Sequence, residues 1–362
     1  MAPVTNAREI FAAVPNGVSA APRSVCCSLR LMSTARTPTG YPVPGQSIVH
    51  DTTQTIDLET APLNGGVLIK TLVLSVDPYF RGRMREAHVP SYLPAFVLGD
   101  PIVGAGIGVV LRSECEGVPV GSHVRGALPH QEYTIAPSLE NLQIIERDPK
   151  LSLSAYIGAA GMPGETAYMG WKEYSKAKEA RRSRVYYDWC WTRGLIAKQA
   201  GLKVIASAGS DAKVAYMKEL GADVAFNYKT SDVRDVLKKE GPIDIYWDNV
   251  GGDQLDAAME NANRFARFIE CGQISGYNDN ATPMKSPMLM ISKCLTFNGF
   301  LVAYLRPKYT ADFAADVVPK LADGTYKYQE DKFVWINKVG DALAAVLKGT
   351  NNGKAVVVVA EE

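Results

Sequence analysis

The sequence predicts an α/β protein with two parts, a barrel-like antiparallel β domain and a doubly wound parallel sheet. From about Gly45 to Pro149, short alternating apolar runs are broken by Gly and Pro, which is typical of antiparallel strands. From Leu153 to about Val318, helical segments alternate with apolar runs, which indicates parallel strands joined by helices. A helix over 336–347 and an apolar strand over 354–359 end the chain, and we expect this strand to join the first domain.

The apolar runs also set the expected bounds of the elements. In the first domain we expect strands at 66–76, 106–111, 122–127 and 131–135. In the second we expect a helix at 211–221 and strands at 203–207, 224–227, 243–248, 267–272 and 295–299. The predicted domains are 1–152, 153–320 and a return to the first domain over 321–362.

Composition excludes several classes of protein. The 362 residues are 47% hydrophobic and 21% charged, which suits a globular chain with two cores. The net charge of +1 argues against a nucleic-acid partner, because phosphate recognition usually leaves a basic footprint. No stretch approaches the roughly 18–20 apolar residues of a membrane span. Residues 1–11 lack the apolar core of a signal peptide, so we expect a cytoplasmic protein with no membrane partner.

Cysteines and histidines give no metal site. The six cysteines contain no C-x-x-C pair, and none of the four histidines has ligand spacing to a Cys or another His. We therefore predict no bound metal and no disulfide framework. Cys271 has no His beside it in sequence, so we predict a buried structural thiol and not a nucleophile.

Residues 201–228 match the second half of a dinucleotide-binding unit, in the order strand, helix, strand. The first half should end in G-x-G-x-x-G, because glycine lets the backbone approach a pyrophosphate at a helix N-terminus. Instead, 185–194 reads VYYDWCWTRG. Trp189, Trp191 and Arg193 do not permit that approach. The helix that follows, from Gly194 to Gly201, is also short.

A shifted reading frame explains this loop. One nucleotide away, both Trp codons become glycine codons, and Tyr187 to Gly194 permits Thr-Thr-Gly-Ala-Gly-Pro-Val-Gly. That sequence contains a complete G-x-G-x-x-G. Residues 179–182 permit Gly-Glu-Thr in the other shifted frame. We therefore favour a frame or gene-model error over 179–197, and the alternative is a real but divergent loop.

A second unusual segment lies at 18–40, with small residues, scattered arginines and neither helical nor strand periodicity. The codons of Gly17 and of Thr39-Gly40 permit the GT that begins an intron and the AG that ends one, in the same phase. We predict a spurious insertion from a retained short intron. A disordered surface insertion is the alternative reading.

Several motifs together resemble the zinc-free medium-chain dehydrogenases/reductases, in the branch of alkenal double-bond reductases and prostaglandin reductases. The resemblance covers the chain from about residue 41 onward, except for about 179–197. The segments that carry it are Leu74–Met84, Gly161–Tyr168, Ala208–Ser210 with Lys213, Phe226–Lys229, Asp248–Gly252, Cys271–Asn278, Asn298–Phe300 and Asn352–Lys354.

The resemblance implies a GroES-like catalytic domain, a Rossmann domain, NADP as cofactor and a homodimer. It implies NADPH-dependent reduction of the C=C bond of α,β-unsaturated aldehydes and ketones, small molecules that accept hydride at the β-carbon. Tyr277 and Tyr79 would be the catalytic, substrate-side residues. The cofactor-binding residues would be Met162, Gly164, Thr166, Gly209, Ser210, Lys213, Tyr228, Asn249, Cys271, Gly272, Ile274, Ser275, Phe300, Leu301, Val302 and Asn352.

The residues themselves support part of this assignment. An NAD enzyme usually places an acidic residue after the second strand, whereas this chain has Ala208-Gly209-Ser210 and then Lys213, which suit a 2′-phosphate. Tyr277 follows a predicted strand at the carboxyl edge of the sheet, where ligands of this architecture bind. A neutral phenol there can stabilise an enolate oxygen. A quinone reductase, and a non-catalytic product lacking its phosphate loop, remain the alternatives.

Overall fold

The computed structural model describes residues 2–15, 39–177, 184–188, 196–279 and 283–362. The predicted intron over 18–40 falls outside them except at its last two residues, and so does the aberrant stretch 179–197 except for 184–188 and 196–197. Along these residues the chain forms two compact units. The first holds the described residues up to 147, 277–279 and 330–362, and the second holds the rest.

The strands fall into an N-terminal group, a central group and a C-terminal pair. In chain order they are β1 (Val4–Thr5), β2 (Arg8–Phe11), β3 (Ile48–Asp51), β4 (Thr55–Ile56), β5 (Val67–Ser75), β6 (Val103–Ser113), β7 (His123–Pro129), β8 (Tyr133–Ala136), β9 (Leu142–Ile144), β10 (Arg184–Asp188), β11 (Lys203–Ala208), β12 (Val224–Asn227), β13 (Ile243–Asp248), β14 (Ala262–Glu270), β15 (Thr296–Gly299), β16 (Glu330–Val334) and β17 (Lys354–Val358).

The helices lie mostly between the strands of the second unit. They are α1 (Phe80–Arg83), α2 (Met162–Tyr174), α3 (Asp211–Glu219), α4 (Val233–Glu240), α5 (Gly252–Glu260), α6 (Met288–Ser292), α7 (Val302–Ala322) and α8 (Val339–Lys348). Short 3-10 turns cover Leu153–Ile157, Ile274–Gly276 and Ile336–Lys338. Within the described ranges, no helix combines the length and the apolar character that a membrane span requires.

The first unit is built on a seven-stranded sheet in the order β16-β17-β5-β6-β7-β9, with β8 pairing β5. β5 is buried along nearly its whole length, because apolar side chains pack on both of its faces. β17 pairs antiparallel with β5, so the apolar C-terminal strand joins the first unit, as predicted. Its partner β16 was not predicted, because its sequence EDKFV is mostly charged.

The second unit carries a six-stranded sheet in the order β12-β11-β10-β13-β14-β15, and every pair in it is parallel. Counted from β10, this is the order 3-2-1-4-5-6 of a dinucleotide-binding sheet. The predicted bounds of β11, β12, β13 and β15 agree within one residue. β14 begins at Ala262, earlier than the predicted start at Arg267.

Candidate functional site

The order of the parallel sheet places the candidate site at the carboxyl ends of β10 and β13. These strands are neighbours although β11 and β12 separate them in sequence, so the crossovers run in opposite directions from this point. Crevices at such a switch point bind ligands in open α/β sheets. Residues 189–195, which include Trp189, Trp191 and Arg193, follow β10 here and lie outside the described residues.

The turn after β11 is built for close approach of a ligand. A Cβ at Gly209 would lie 2.6 Å from the Tyr228 hydroxyl, so a side chain here would displace the Tyr228 ring. Ser210 caps α3, and its side chain accepts a hydrogen bond from the Lys213 amide at 3.4 Å. Asp211 is exposed and accepts a hydrogen bond from Asn227 Nδ2 at 2.8 Å.

Lys213 lies in the first turn of α3 and is only 4% exposed. A buried ammonium beside a capped helix N-terminus favours an anion, because both the fixed charge and the unpaired helix amides attract it. The residues at this turn therefore fit the 2′-phosphate end of NADP.

The ends of β13 and β14 are held together by main-chain hydrogen bonds. The Asp248 carbonyl accepts from the amides of Cys271 at 3.0 Å and Gly272 at 3.2 Å, and Asn249 accepts from Ile274 at 2.9 Å. The Ser275 amide and hydroxyl both donate to the Val250 carbonyl, at 3.1 and 2.5 Å. The structure thus brings five predicted cofactor residues together: Asn249, Cys271, Gly272, Ile274 and Ser275. Cys271 is half-buried, so the prediction of a buried thiol was wrong.

The remaining predicted cofactor residues of the second unit lie on α2 and at the start of α7. Thr166 Oγ1 donates to the Met162 carbonyl at 2.7 Å, and a Cβ at Gly164 would overlap the Ala159 carbonyl. Phe300 lies edge-on to Trp247, with ring centroids 5.8 Å apart, and Leu301 and Val302 begin α7. Phe300 therefore packs against Trp247, near the carboxyl end of β13.

Tyr79 lies in the first unit at the start of α1, half-buried against the apolar core of that unit. Burial raises the pKa of Tyr79, and the negative charge of Asp77 raises it further, so this phenol keeps its proton at physiological pH. Asp77 accepts a hydrogen bond from Ser75 Oγ at 2.6 Å and lies 3.2 Å from Lys354 Nζ. Lys354 thereby ties β17 to the turn that carries Tyr79.

Tyr277 also belongs to the first unit, where it packs against the same apolar core. The next residue, Asn278, is 3% exposed and accepts a hydrogen bond from Arg81 Nε at 3.1 Å. Arg81 Nε also donates to the carbonyl of Gly40 at 3.1 Å, and burial lowers the pKa of Arg81 to about 10. One buried guanidinium therefore fixes the Tyr277 segment to α1, two residues after Tyr79.

Sequence reasoning gave no role to Arg81, Asn278, Asp77 or Lys354, although all four lie within the motifs that carried the resemblance. The sequence feature that could have identified Arg81 is the repeat of arginine at every second position, at 81, 83 and 85. Asn352 lies in the first unit, in the turn before β17, where its amide donates to Asp331 Oδ2 at 2.9 Å.

Two family models match the chain. One, described as the N-terminal domain of oxidoreductase, covers 32–145, and another, described as zinc-binding dehydrogenase, covers 194–322. The second match begins at Gly194, where the aberrant loop ends. Within the described ranges, no group of three or more His, Cys, Asp or Glu residues is arranged to hold a metal ion.

Relatives match over nearly the whole chain. A 2-alkenal reductase (NADP(+)-dependent) of Nicotiana tabacum is 37% identical over 90% of this chain and 95% of its own. Prostaglandin reductase 1 of Rattus norvegicus is 34% identical over 83% of this chain and 91% of its own. The chain belongs to the medium-chain dehydrogenase/reductase family. The predicted family, the fold class and the oxidoreductase activity are thereby confirmed.

Solved structures of the medium-chain dehydrogenase/reductase family agree. CurA from Vibrio vulnificus is 29% identical, with a TM-score of 0.82 over 99% of both chains. A second structure of CurA, in complex with NADPH, has a TM-score of 0.81 at 27% identity and covers 98% of this chain and 100% of its own. NADP in these relatives agrees with the predicted cofactor. Quinone oxidoreductase of Escherichia coli, at 15% identity over 88% of this chain and 98% of its own and a TM-score of 0.65, shares the fold.

Proposed function

We propose that this chain reduces the C=C bond of α,β-unsaturated aldehydes and ketones with NADPH. The observation that carries the proposal is the 37% identity, over 90% of the chain, to a protein named 2-alkenal reductase. The buried Lys213 at the capped start of α3 supports NADPH in preference to NADH, because the 2′-phosphate distinguishes the two cofactors at this turn.

The reaction divides between the cofactor and two tyrosines. NADPH, when bound, supplies the hydride that adds to the β-carbon of the substrate. Tyr277 donates a hydrogen bond to the substrate carbonyl oxygen, where negative charge grows as the enolate forms. Tyr79 retains its proton because burial and Asp77 raise its pKa, so it serves as a second neutral donor on the substrate side. A proton from solvent water then adds to the α-carbon of the enolate, which completes the saturated product.

The hydrogen bond from Arg81 to Asn278 joins the two segments of the first unit that carry these tyrosines. A donor aimed in advance at the growing charge costs no reorganisation during the reaction. This arrangement supports polarisation of the carbonyl by phenols, with no metal ion. The zinc-free mechanism stays a prediction.

The proposal includes a cytoplasmic homodimer. β15 is the edge strand of the parallel sheet, and large apolar side chains lie exposed on the elements around it. The exposed fractions are 67% for Met288, 70% for Ile291, 81% for Tyr304 and 70% for Phe265. Such a patch beside an edge strand favours pairing with a second copy. Light scattering on the purified protein measures the oligomeric state, and a monomer at micromolar concentration would contradict the dimer.

The test compares three measurements on the same preparation. NADPH titration followed by fluorescence separates a cofactor-binding enzyme from a non-catalytic protein. Turnover of a linear alkenal and of a benzoquinone then separates the two reductase activities. We expect kcat/KM for the alkenal to exceed that for the quinone at least tenfold, about 1.4 kcal/mol in transition-state stabilisation. A preference for the quinone would overturn the proposal in favour of a quinone reductase.

A further inference from the structure

Two helices of the second unit, α2 and α7, are joined by ion pairs along their length. These pairs include Lys172–Asp312 at 2.7 Å, Lys308–Glu173 at 2.6 Å and Arg306–Glu165 at 2.8 Å. Among the three acidic side chains, Asp312 is 54% exposed and Glu173 is 28% exposed, but Glu165 is only 5% exposed. The carboxylate that pairs with Arg306 is therefore the one shielded from solvent.

Glu165 lies in the first turn of α2, between the predicted cofactor residues Gly164 and Thr166. Arg306 Nε and Nη2 both lie 2.8 Å from Glu165 Oε2. A carboxylate buried to this extent is costly to keep charged unless a cation pairs with it. The ion pair therefore fixes the position of Arg306 relative to the start of α2.

The segment that leads into α7 lies against the carboxyl end of β13. Phe300, two residues before the helix, lies edge-on to Trp247. A Cβ at Gly170 of α2 would lie 2.5 Å from the Phe300 ring and 2.7 Å from the Trp247 ring. Phe300 thus packs between α2 and β13 in the space that Gly170 leaves. The start of α7 is therefore placed at the edge of the sheet where ligands of this architecture bind.

The first turn of α7 has few restraints of its own. Pro307 lies inside the helix and has no amide hydrogen, so it donates no hydrogen bond to the carbonyl of Ala303. Among the described residues, no side chain caps the helix at Leu301. Arg306 immediately precedes Pro307 and joins this turn to Glu165. The ion pair therefore supplies a restraint that the helix itself lacks.

With its 2′-phosphate at Lys213, NADPH would span this edge of the sheet. Lys213 follows β11, and β13 lies two strands away in the order β11-β10-β13. Neighbouring strands are about 4.8 Å apart, so the ends of β11 and β13 are about 10 Å apart. A dinucleotide that binds across the switch point then has its adenosine half at α3 and its nicotinamide half beside the end of β13.

We propose that Glu165 is a positioning residue for NADPH, which acts through Arg306 to hold the start of α7 beside the site of the nicotinamide half. This inference rests on the proposed function, since it takes NADPH as the cofactor. Neither side chain needs to touch the cofactor, because the effect passes through the position of α7.

The test measures Kd by isothermal titration calorimetry for NADPH and for 2′,5′-ADP, which is the adenosine end of NADPH alone. Both titrations use the full chain as it stands and the full chain with the glycine-rich loop of the shifted frame in place of Tyr187 to Gly194. Arg306→Met should raise Kd for NADPH about tenfold, because α7 loses its tie near the nicotinamide half. Kd for 2′,5′-ADP should stay within about twofold.

Arg306→Lys should restore most of the affinity for NADPH, since a lysine keeps a cation within reach of Glu165. Lys172→Met is the matched control, because it removes an ion pair between the same two helices about two turns farther along α2. It should leave both Kd values unchanged. If Arg306→Met does not fold, the double variant Glu165→Leu/Arg306→Met leaves no unpaired buried carboxylate and should show the same rise in Kd for NADPH.

An unchanged Kd for NADPH in Arg306→Met, an equal rise for NADPH and 2′,5′-ADP, or the same rise in Lys172→Met would overturn the assignment of Glu165. Lack of NADPH binding by both forms of the chain would overturn it together with the proposed function. Absence of alkenal turnover, with the difference between the two ligands intact, would contradict the proposed function alone and leave Glu165 as a positioning residue for the cofactor.

Discussion

The turns that follow β10 and β11 begin at the same edge of one parallel sheet, yet their sequences suit different contents. After β11, Gly209 lies beneath Tyr228, Ser210 caps a helix and Lys213 is buried. After β10 the chain places Trp189, Trp191 and Arg193 where glycines are expected. The turn after β11 has the residues of an anion site, and the turn after β10 lacks the glycines expected there.

The strands that precede these two turns are both regular and paired, unlike the sequences of the turns themselves. β10 and β11 pair in register from Arg184 with Lys203 to Asp188 with Ser207. Tyr186 is fully buried, and its hydroxyl lies 3.0 Å from Ser207 Oγ and donates to Gln254 Oε1 at 2.5 Å. Apolar burial and satisfied polar groups therefore fix the sheet independently of the loop. We therefore expect the aberrant loop to affect cofactor binding and to leave the pairing of β10 with β11 intact.

The largest expected effect comes from repairing the loop. Tyr187 to Gly194 is replaced by Thr-Thr-Gly-Ala-Gly-Pro-Val-Gly, and about four residues are restored before Ala197. We expect the affinity for NADPH to rise on the order of 10³-fold, because glycines let backbone amides reach the pyrophosphate. Fluorescence titration with NADPH measures this. The unrepaired chain serves as the control, and low-micromolar binding with turnover in that chain would show that the divergent loop works.

Tyr277→Phe should give the next largest effect. Tyr277 follows β14 in the chain, and β14 ends at the same edge of the sheet as β10 and β11. Measured in the loop-repaired chain, kcat for an enone should fall about 10²-fold, since a hydrogen bond to the developing oxyanion is lost. KM for NADPH should change little. Tyr304→Phe, at an 81% exposed tyrosine, is the control. An unchanged kcat in Tyr277→Phe would reduce this tyrosine to a packing residue.

Lys213→Ala tests the intact turn directly. NADPH affinity should fall about 10- to 150-fold, the value of a charge-assisted phosphate contact, while NADH affinity should stay nearly constant. The measurement is a pair of fluorescence titrations in the loop-repaired chain. Lys218→Ala is the matched control, because Lys218 lies exposed in the last turn of the same helix. Equal losses for NADPH and NADH would remove Lys213 from the 2′-phosphate site.

The loop should have its smallest effect on the first unit, whose stability we expect not to depend on it. Glu9 is 2% exposed and lies 2.7 Å from His50 Nδ1. Burial raises its pKa to about 7, against the opposing effect of His50. Because the folded state holds this proton more tightly, stability from Glu9 is full below about pH 4.3 and is lost as pH rises through about 7.

Glu9→Gln should remove this dependence, which is worth about 4 kcal/mol between those limits. Chemical denaturation at several pH values measures the difference in unfolding free energy between the unsubstituted and substituted chains. The difference should be the same with the original and the repaired loop. Glu140→Gln, at an exposed carboxylate of the first unit, is the control. A difference that depended on the loop would show that the two units do not fold independently.

Sequence periodicity predicted most of the parallel sheet because its strands are short and apolar, and β11 and β13 are buried along most of their length. It missed the start of β14, where Asn263, Arg264 and Phe265 break the apolar run. Phe265 adopts a positive φ of 66° and is 70% exposed, so this part of the strand lacks the pattern of a buried strand. β16 was missed for a related reason, because its charged residues pair with β17 at the sheet edge.

The candidate site was predicted less completely, because its decisive contacts join distant parts of the chain. Lys213 has the sequence context of a solvated helix lysine, but it is only 4% exposed in the turn that Ser210 caps. Tyr277 was expected at the edge of the parallel sheet, but it packs against the core of the first unit, beside the contact between Asn278 and Arg81. Neither contact has a periodic signature in sequence.

The pairing of β17 with β5 has a consequence for how this protein is made. β5 emerges from the ribosome early, but its partner β17 is among the last residues to be synthesised. The whole parallel sheet can form in the interval, while one edge of β5 stays unpaired and prone to association with other chains. A reading frame that stayed shifted beyond Gly194 would replace β17 with unrelated residues. If the frame shifts over 179–197, the pairing of Lys354–Val358 with β5 requires that it is restored before Lys354.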